Sequence, residues 1–151
     1  MHQDLLEAVI VPQFRLDING IHGIRHWERV WENGQRVAEI IHKSGAGAVD
    51  LEVVELFAWL HDSQREDENR DYFHGQRAGQ YIMSLRALTY HINIKSAQFA
   101  KLVTAVMFHS DGIVLDDPTI QTCWDADRLD LTRVGETPDP RYLSKEAASL
   151  I

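Results

Sequence analysis

The sequence predicts an all-α fold, a single bundle of about six helices, and three observations carry that prediction. Apolar residues recur at helical spacing, cap and stop residues flank the periodic segments, and strand candidates are scarce. The one short apolar run of strand type, GIVL at 112–115, is too short to change the class. In the first long helix Ile24, Trp27, Trp31, Ala38 and Ile41 form an apolar stripe, Lys43 sits in the last turn and Gly45 follows as the stop. Asp50 reads as the N-cap of LEVVELFAWLHD, whose early Glu52 and Glu55 suit the positive end of a helix dipole. This helix is apolar almost all round and is expected at the centre.

The charged, aperiodic SQREDENRDYF reads as a loop. A helix from His74 to Leu88 follows, then one from Lys95 to His109, which Ser110-Asp111-Gly112 breaks. Asp117-Pro118 supplies the N-cap and first turn of a helix through IQTCWDADRLDL. At the N-terminus a helix before Asn19-Gly20 has to kink or end at Pro12. No repeat or linker divides the chain, so residues 1–151 read as one domain, with a core over about 20–135 and a C-terminal tail over 136–151.

The composition narrows the function classes. With 44% hydrophobic and 25% charged residues in 151, the chain can bury a core unaided. Its 15 Lys and Arg against 23 Asp and Glu give a formal charge of −8, which argues against bulk binding to nucleic-acid backbones. A small anionic substrate in a locally basic pocket remains compatible with that charge. The lone Cys123 excludes an internal disulfide and suits a reducing compartment. No apolar run reaches the ~20 residues of a membrane span, and the N-terminus lacks the basic stretch of a signal peptide, so the expected location is the cytoplasm. Trp27, Trp31 and Tyr72 are aromatics that would suit a homodimer surface, although core packing accounts for the first two equally well.

The chemistry lies in the placement of His and Asp. His61 and Asp62 end the most apolar helix, where an ionised carboxylate costs several kcal/mol unless a cation neutralises it or the side chain escapes into solvent. His26 lies on the flank of the first long helix, Asp127 shares a helix face with Trp124 and Leu131, and His109 ends the other apolar helix. Cys123 has no neighbouring base, and neither a phosphate-binding glycine loop nor a nucleophile-elbow motif is present in the sequence.

This ordered set resembles the HD superfamily of metal-dependent phosphohydrolases, in which a His, a His-Asp pair ending a helix and a distant Asp supply the metal ligands. The matching residues are His26 in RHWERVW, His61 and Asp62 in FAWLHDS, and Asp127 in CWDADRLDL, across about residues 20–135. The resemblance implies an HD-like helical bundle with these four as ligands of a divalent ion, Mn, Mg, Fe or Ni suiting two imidazoles and two carboxylates. Asp125, about 200° round the helix from Asp127, cannot face the same ion and is expected toward solvent or Arg128.

Several members place an acid a few residues after the pair to handle the attacking water. Arg65 stands at the fourth position after His61, with Glu66 and Asp67 next, so the general base is open between Asp62 and Asp67. Arg65 and Arg77 are candidates to grip a phosphate. His74 and His109 are candidates for substrate contact or, as in dinuclear members, for a second metal.

The activity implied is hydrolysis of a phosphate ester, nucleotide-like and small. The alternatives are a dinuclear-iron oxygenase or lyase, and a non-catalytic domain binding a nucleotide or a protein. His22 is not expected to share the metal face, because Gly20 and Gly23 interrupt any helix joining it to His26; His2, His42 and His91 read as surface or structural.

Overall fold

The computed structural model describes residues 2–88 and 91–151, and among these there are helices and loops but no strand. The N-terminal helix, α1, runs as α-helical Gln3–Leu5, π-helical Leu6–Ile10 and α-helical Val11–Gln13. It ends one residue past Pro12, whose ring and missing N–H disrupt the turn before it; the wider π turn accommodates that disruption. Then come α2 (Ile24–Ser44), α3 (Leu51–Leu60), α4 (His74–Leu88), α5 (Ser96–Phe108) and α6 (Pro118–Leu129). Two 3₁₀ turns, Asp130–Val134 and Pro140–Tyr142, lead to a short α7, Lys145–Ala148.

The predicted punctuation is where the helices begin and end. Gly45 takes φ 71°, the left-handed conformation glycine adopts without strain, and its N–H and that of Ala46 satisfy the His42 and Ile41 carbonyls. The Asp50 carboxylate accepts the Glu52 and Val53 N–H groups at 3.1 and 3.3 Å. Asp117 does the same for Thr119 and Ile120, at 3.0 Å each.

Helix α3 is the axis of the molecule. Every residue from Val53 to Leu60 is buried, and α1, α2, α5 and α6 pack around it, while α4 packs on α5. Each fully buried Leu or Phe there contributes roughly 1.5–3 kcal/mol of transfer free energy. The core is wider than the sequence suggested at both ends: Leu5, Leu6 and Ile10 of α1 join it, and Leu143 and Ala147 close over Val37 and Ile41 of α2. Trp27 is likewise wholly buried, in edge contact with Phe14, so it is a core residue and not part of a dimer surface; of Trp27, Trp31 and Tyr72, Tyr72 is the exposed one.

Asp125 departs from expectation. It is fully buried, because the C-terminal segment covers the side of α6 that would otherwise face solvent. Its carboxylate accepts from Gln121 Nε2 at 2.9 Å, Ser144 N–H at 3.0 Å and Ser144 Oγ at 2.6 Å. Arg128 Nη1 donates to the Tyr142 carbonyl at 2.6 Å. Together they fasten residues 142–144 to α6. Replacing Asp125 by Ala leaves one buried and two part-buried donors without their acceptor and should cost about 1–3 kcal/mol in urea unfolding, with Asp125→Asn costing less. An unchanged midpoint for Asp125→Ala would show that the segment is held by apolar contacts alone.

Candidate metal centre

Six side chains from five places in the chain meet at the end of α3. His61 and Asp62 follow directly from Leu60, His26 comes from the first turn of α2, and Asp127 from the last turn of α6. His74 opens α4 and His109 closes α5. The last two meet because Gly75 lets the start of α4 lie on the end of α5: a Cβ there would stand 2.8 Å from the Met107 carbonyl oxygen and 3.0 Å from that of Val106. All four histidines are buried, as is Asp62; Asp127 is partly so.

The partners of each imidazole fix its tautomer. His61 Nδ1 donates to the Phe57 and Ala58 carbonyls at 3.1 Å each, and His109 Nδ1 to the Val106 carbonyl at 2.6 Å. His74 Nδ1 donates to the Asp71 carbonyl, and His26 Nδ1 to the Asp130 carboxylate at 2.7 Å. Carbonyl and carboxylate oxygens only accept, so each Nδ1 carries the hydrogen and each neutral ring turns an Nε2 lone pair inward.

Those lone pairs crowd together. His26 Nε2 and His61 Nε2 are 3.1 Å apart, and Asp127 Oδ1 stands 3.3 and 3.5 Å from them. Asp62 Oδ2 lies 3.4 and 3.6 Å from the same two nitrogens. On the other side His74 Nε2 and His109 Nε2 are 2.8 Å apart, with Asp62 Oδ1 at 3.2 and 3.5 Å. Facing lone pairs at such distances repel unless a positive charge stands between them. Neighbouring donors around an ion with ~2.1 Å bonds stand roughly 3.0–3.4 Å apart, depending on octahedral or tetrahedral geometry, so the spacing is that of a ligand shell. Two groups of buried ligands could each hold a metal ion, His26–His61–Asp62 and Asp62–His74–His109, and Asp62 gives one oxygen to each. Asp127 stands beside the first group, its Oδ1 facing both imidazoles.

The electrostatics follow the same geometry. Burial raises the Asp62 carboxyl, but the imidazoles around it, His61 first and then His109, His26 and His74, outweigh burial and hold the group well below the ordinary carboxylate range. Asp127 is also held well below it, against burial, by His61 and His26. His26 is pushed down by burial, yet Asp127, Asp130 and Asp62 carry it up to about 10. Without a metal, a proton on His26 therefore supplies part of the positive charge that the carboxylates demand.

Asp130 is a residue of the candidate site that the sequence alone does not single out. It accepts from His26 Nδ1, and Arg29 Nε holds its other oxygen at 2.8 Å, a carboxylate–histidine arrangement that orients a ligating ring. Its spacing of three from Asp127 in DADRLDL was the available signal.

The loop candidates separate. Arg65 borders the site, its Nε 3.4 Å from Asp62 Oδ1 and its Nη1 on the Asp67 and Asn69 carbonyls. Asp67, expected as a possible base, is not brought to the cluster: it is exposed, and its carboxylate accepts the Asn69 N–H at 2.7 Å within the turn. Arg77 is not brought there either, because the Gln64 carbonyl and Asp71 engage its guanidinium and tie the loop to α4. His22 also stays outside both groups, with Nδ1 3.3 Å from Glu68. A cavity of about 410 Å³ opens beside the cluster, lined by Asp62, His74, His109 and Asp127 on one side and by Arg65 and Arg133 among others.

Comparison of the chain with protein-family models, with curated proteins and with solved structures finds no match. The arrangement is compatible with an HD-like domain on the strength of the His and Asp cluster and the helical fold. No helix of the described residues is long and apolar enough to cross a membrane.

Elemental analysis of reconstituted protein tests the grouping. His61→Ala should lose one equivalent of divalent metal, His74→Ala the other, and Asp62→Ala both. Uniform content across the variants would contradict it. The pH dependence has a definite sign. A folded-state pKa of about 10 for His26, raised from 6.5, contributes stability that is complete below about pH 6.5 and lost as pH rises to about 10. Chelator-treated protein should therefore melt at falling temperature from about pH 7 to about pH 10. Saturating metal, which displaces that proton, should remove the decline.

Proposed function

We propose that the protein is a metal-dependent phosphohydrolase of HD type, acting on the phosphate ester of a small, nucleotide-like anion. The observation that carries this is the Asp62 carboxylate divided between two inward-facing histidine pairs, beside a cavity that Arg65 borders.

Divalent ions held by His26, His61, Asp62 and Asp127, and by Asp62, His74 and His109, would polarise a phosphoryl oxygen and bring the pKa of a bound water toward neutrality. The chain's own residues do the rest. Asp130 keeps a hydrogen on His26 Nδ1, so Nε2 is the atom that would face a metal. Asp62 and Asp127 stay ionised at neutral pH and so would accept hydrogen bonds from an attacking water. Arg65, anchored on carbonyls, places positive charge where the phosphate's charge grows. With Asp67 turned into its own loop, orientation of the water falls to Asp62.

A second reading, an oxygen-dependent dinuclear-iron enzyme, draws support from the second histidine pair, together with an arginine where some HD hydrolases carry an acid. The two readings divide on a single comparison. Metal-loaded protein should hydrolyse p-nitrophenyl phosphate and nucleoside monophosphates equally well with and without oxygen, and Asp62→Ala should lose at least about a hundredfold, as loss of a shared ligand and orienting group implies. Full activity of Asp62→Ala would refute the mechanism, and turnover only in oxygen with iron would transfer the assignment to the second reading.

A further inference from the structure

The arginine that the sequence reading offered as a second phosphate ligand, Arg77, is committed to the loop, but another occupies the cavity. Arg133 is nearly buried, with its side chain 11% exposed, and lines the same cavity as Arg65 and the cluster. Its Nε donates to the Ile21 carbonyl at 2.9 Å and its Nη1 to the Asp130 carbonyl at 3.0 Å. Its Nη2 has no hydrogen-bond partner among the described residues.

The kind of anchor matters. Backbone carbonyls hold the planar fork rigid without neutralising it, and the nearest carboxylate oxygen, on Asp130, is 3.9 Å away. That carboxylate is already shared by His26 and Arg29, at 2.7 and 2.8 Å. Arg128, which also lines the cavity, donates to the Tyr142 carbonyl through Nη1 and lies over the Trp124 ring; its buried Nη2 is likewise without a hydrogen-bond partner among the described residues, but its Nη1 fastens the C-terminal segment. Arg65 and Arg133 are thus two pre-ordered guanidinium groups on the wall of a cavity that ends at the cluster, Arg65 against Asp62 at 3.4 Å and Arg133 with its carboxylate contact at 3.9 Å, and Glu136 and Asp139 line the same cavity. Ordering a long cationic side chain before a ligand arrives removes an entropic cost from binding.

We propose that Arg133, paired with Arg65, is an anion-binding residue of this cavity, and that the pair selects a substrate carrying a dianionic phosphomonoester group. The inference rests on the phosphohydrolase reading above for the place of the reacting phosphate. It adds a residue to which neither the family resemblance nor the motif assigns a role, and it makes the 3₁₀ turn after α6 part of substrate recognition.

The test is calorimetric titration of inorganic phosphate into metal-loaded wild type, Arg133→Gln and Arg133→Lys, with metal content and melting temperature measured on each. Wild type should bind phosphate. Arg133→Gln should bind it about tenfold to a hundredfold more weakly at unchanged metal content, the loss expected for a charge-assisted hydrogen bond. Its KM for a phosphomonoester should rise by a similar factor, with kcat moving far less. Arg133→Lys, which keeps the charge without the fork, should fall between the two and covers the case in which the glutamine variant does not fold. Wild-type affinity in both variants, while wild type still hydrolyses phosphate esters, would overturn the role of Arg133 and leave the phosphohydrolase reading standing. Failure of metal-loaded wild type to bind phosphate at all, with no ester hydrolysis, would overturn both.

Discussion

The constraint on which this molecule depends is the burial of carboxylates and imidazole lone pairs around one point that only a positive charge can satisfy. Asp62 and Asp127 remain ionised against the cost of burial, and four Nε2 atoms face them. A hydrophobic core gains nothing from such an arrangement. Helix α3 delivers Asp62 from the centre of the apolar core, α2 and α6 close on one side of it, and α4 and α5 on the other. The surrounding polar groups then have a shared purpose. Carbonyls at helix ends take the Nδ1 hydrogens of three histidines, Asp130 takes the fourth, and each ring is left one inward donor atom.

Much of the fold was legible because the helices follow local rules. Asp50, Asp117, Gly45 and Pro118 mark boundaries through backbone hydrogen bonding, which neighbouring residues decide. What the sequence hid was tertiary. Asp125 looked like a solvent-facing acid because its partner, Ser144, lies nineteen positions on and nothing local announces the contact. The stretch beyond 135 looked like a tail, yet Leu143 and Ala147 seal the end of α2. Trp27 was ambiguous between surface and core, since spacing alone gives the side of a helix and not what covers it.

The site divides in the same way. His26, His61, Asp62 and Asp127 could be named from their order on predicted helices. The entry of His74 and His109 depends on the close approach of α4 to α5 at Gly75, a contact between helices that periodicity does not encode. Arg77 and Asp67 were attractive as charges near the pair, but neither the direction of a loop side chain such as Asp67 nor the partners of Arg77, in the first turn of α4, can be read from spacing. Here the Gln64 carbonyl and Asp71 engage Arg77, and the turn at Asn69 engages Asp67. Arg133 was invisible for the converse reason: its importance comes from carbonyls of residues 21 and 130 that meet only in the folded chain.

The account stands most directly on what fills the space between the two histidine pairs. A crystal structure of protein reconstituted with manganese, with the ions located by their anomalous scattering, addresses that. The account predicts one ion among His26, His61, Asp62 and Asp127 and a second among Asp62, His74 and His109, with the Asp62 carboxylate spanning both. No ion at this point, or ions bound only at surface carboxylates, would contradict it, and the buried cluster would then be a proton-linked polar core.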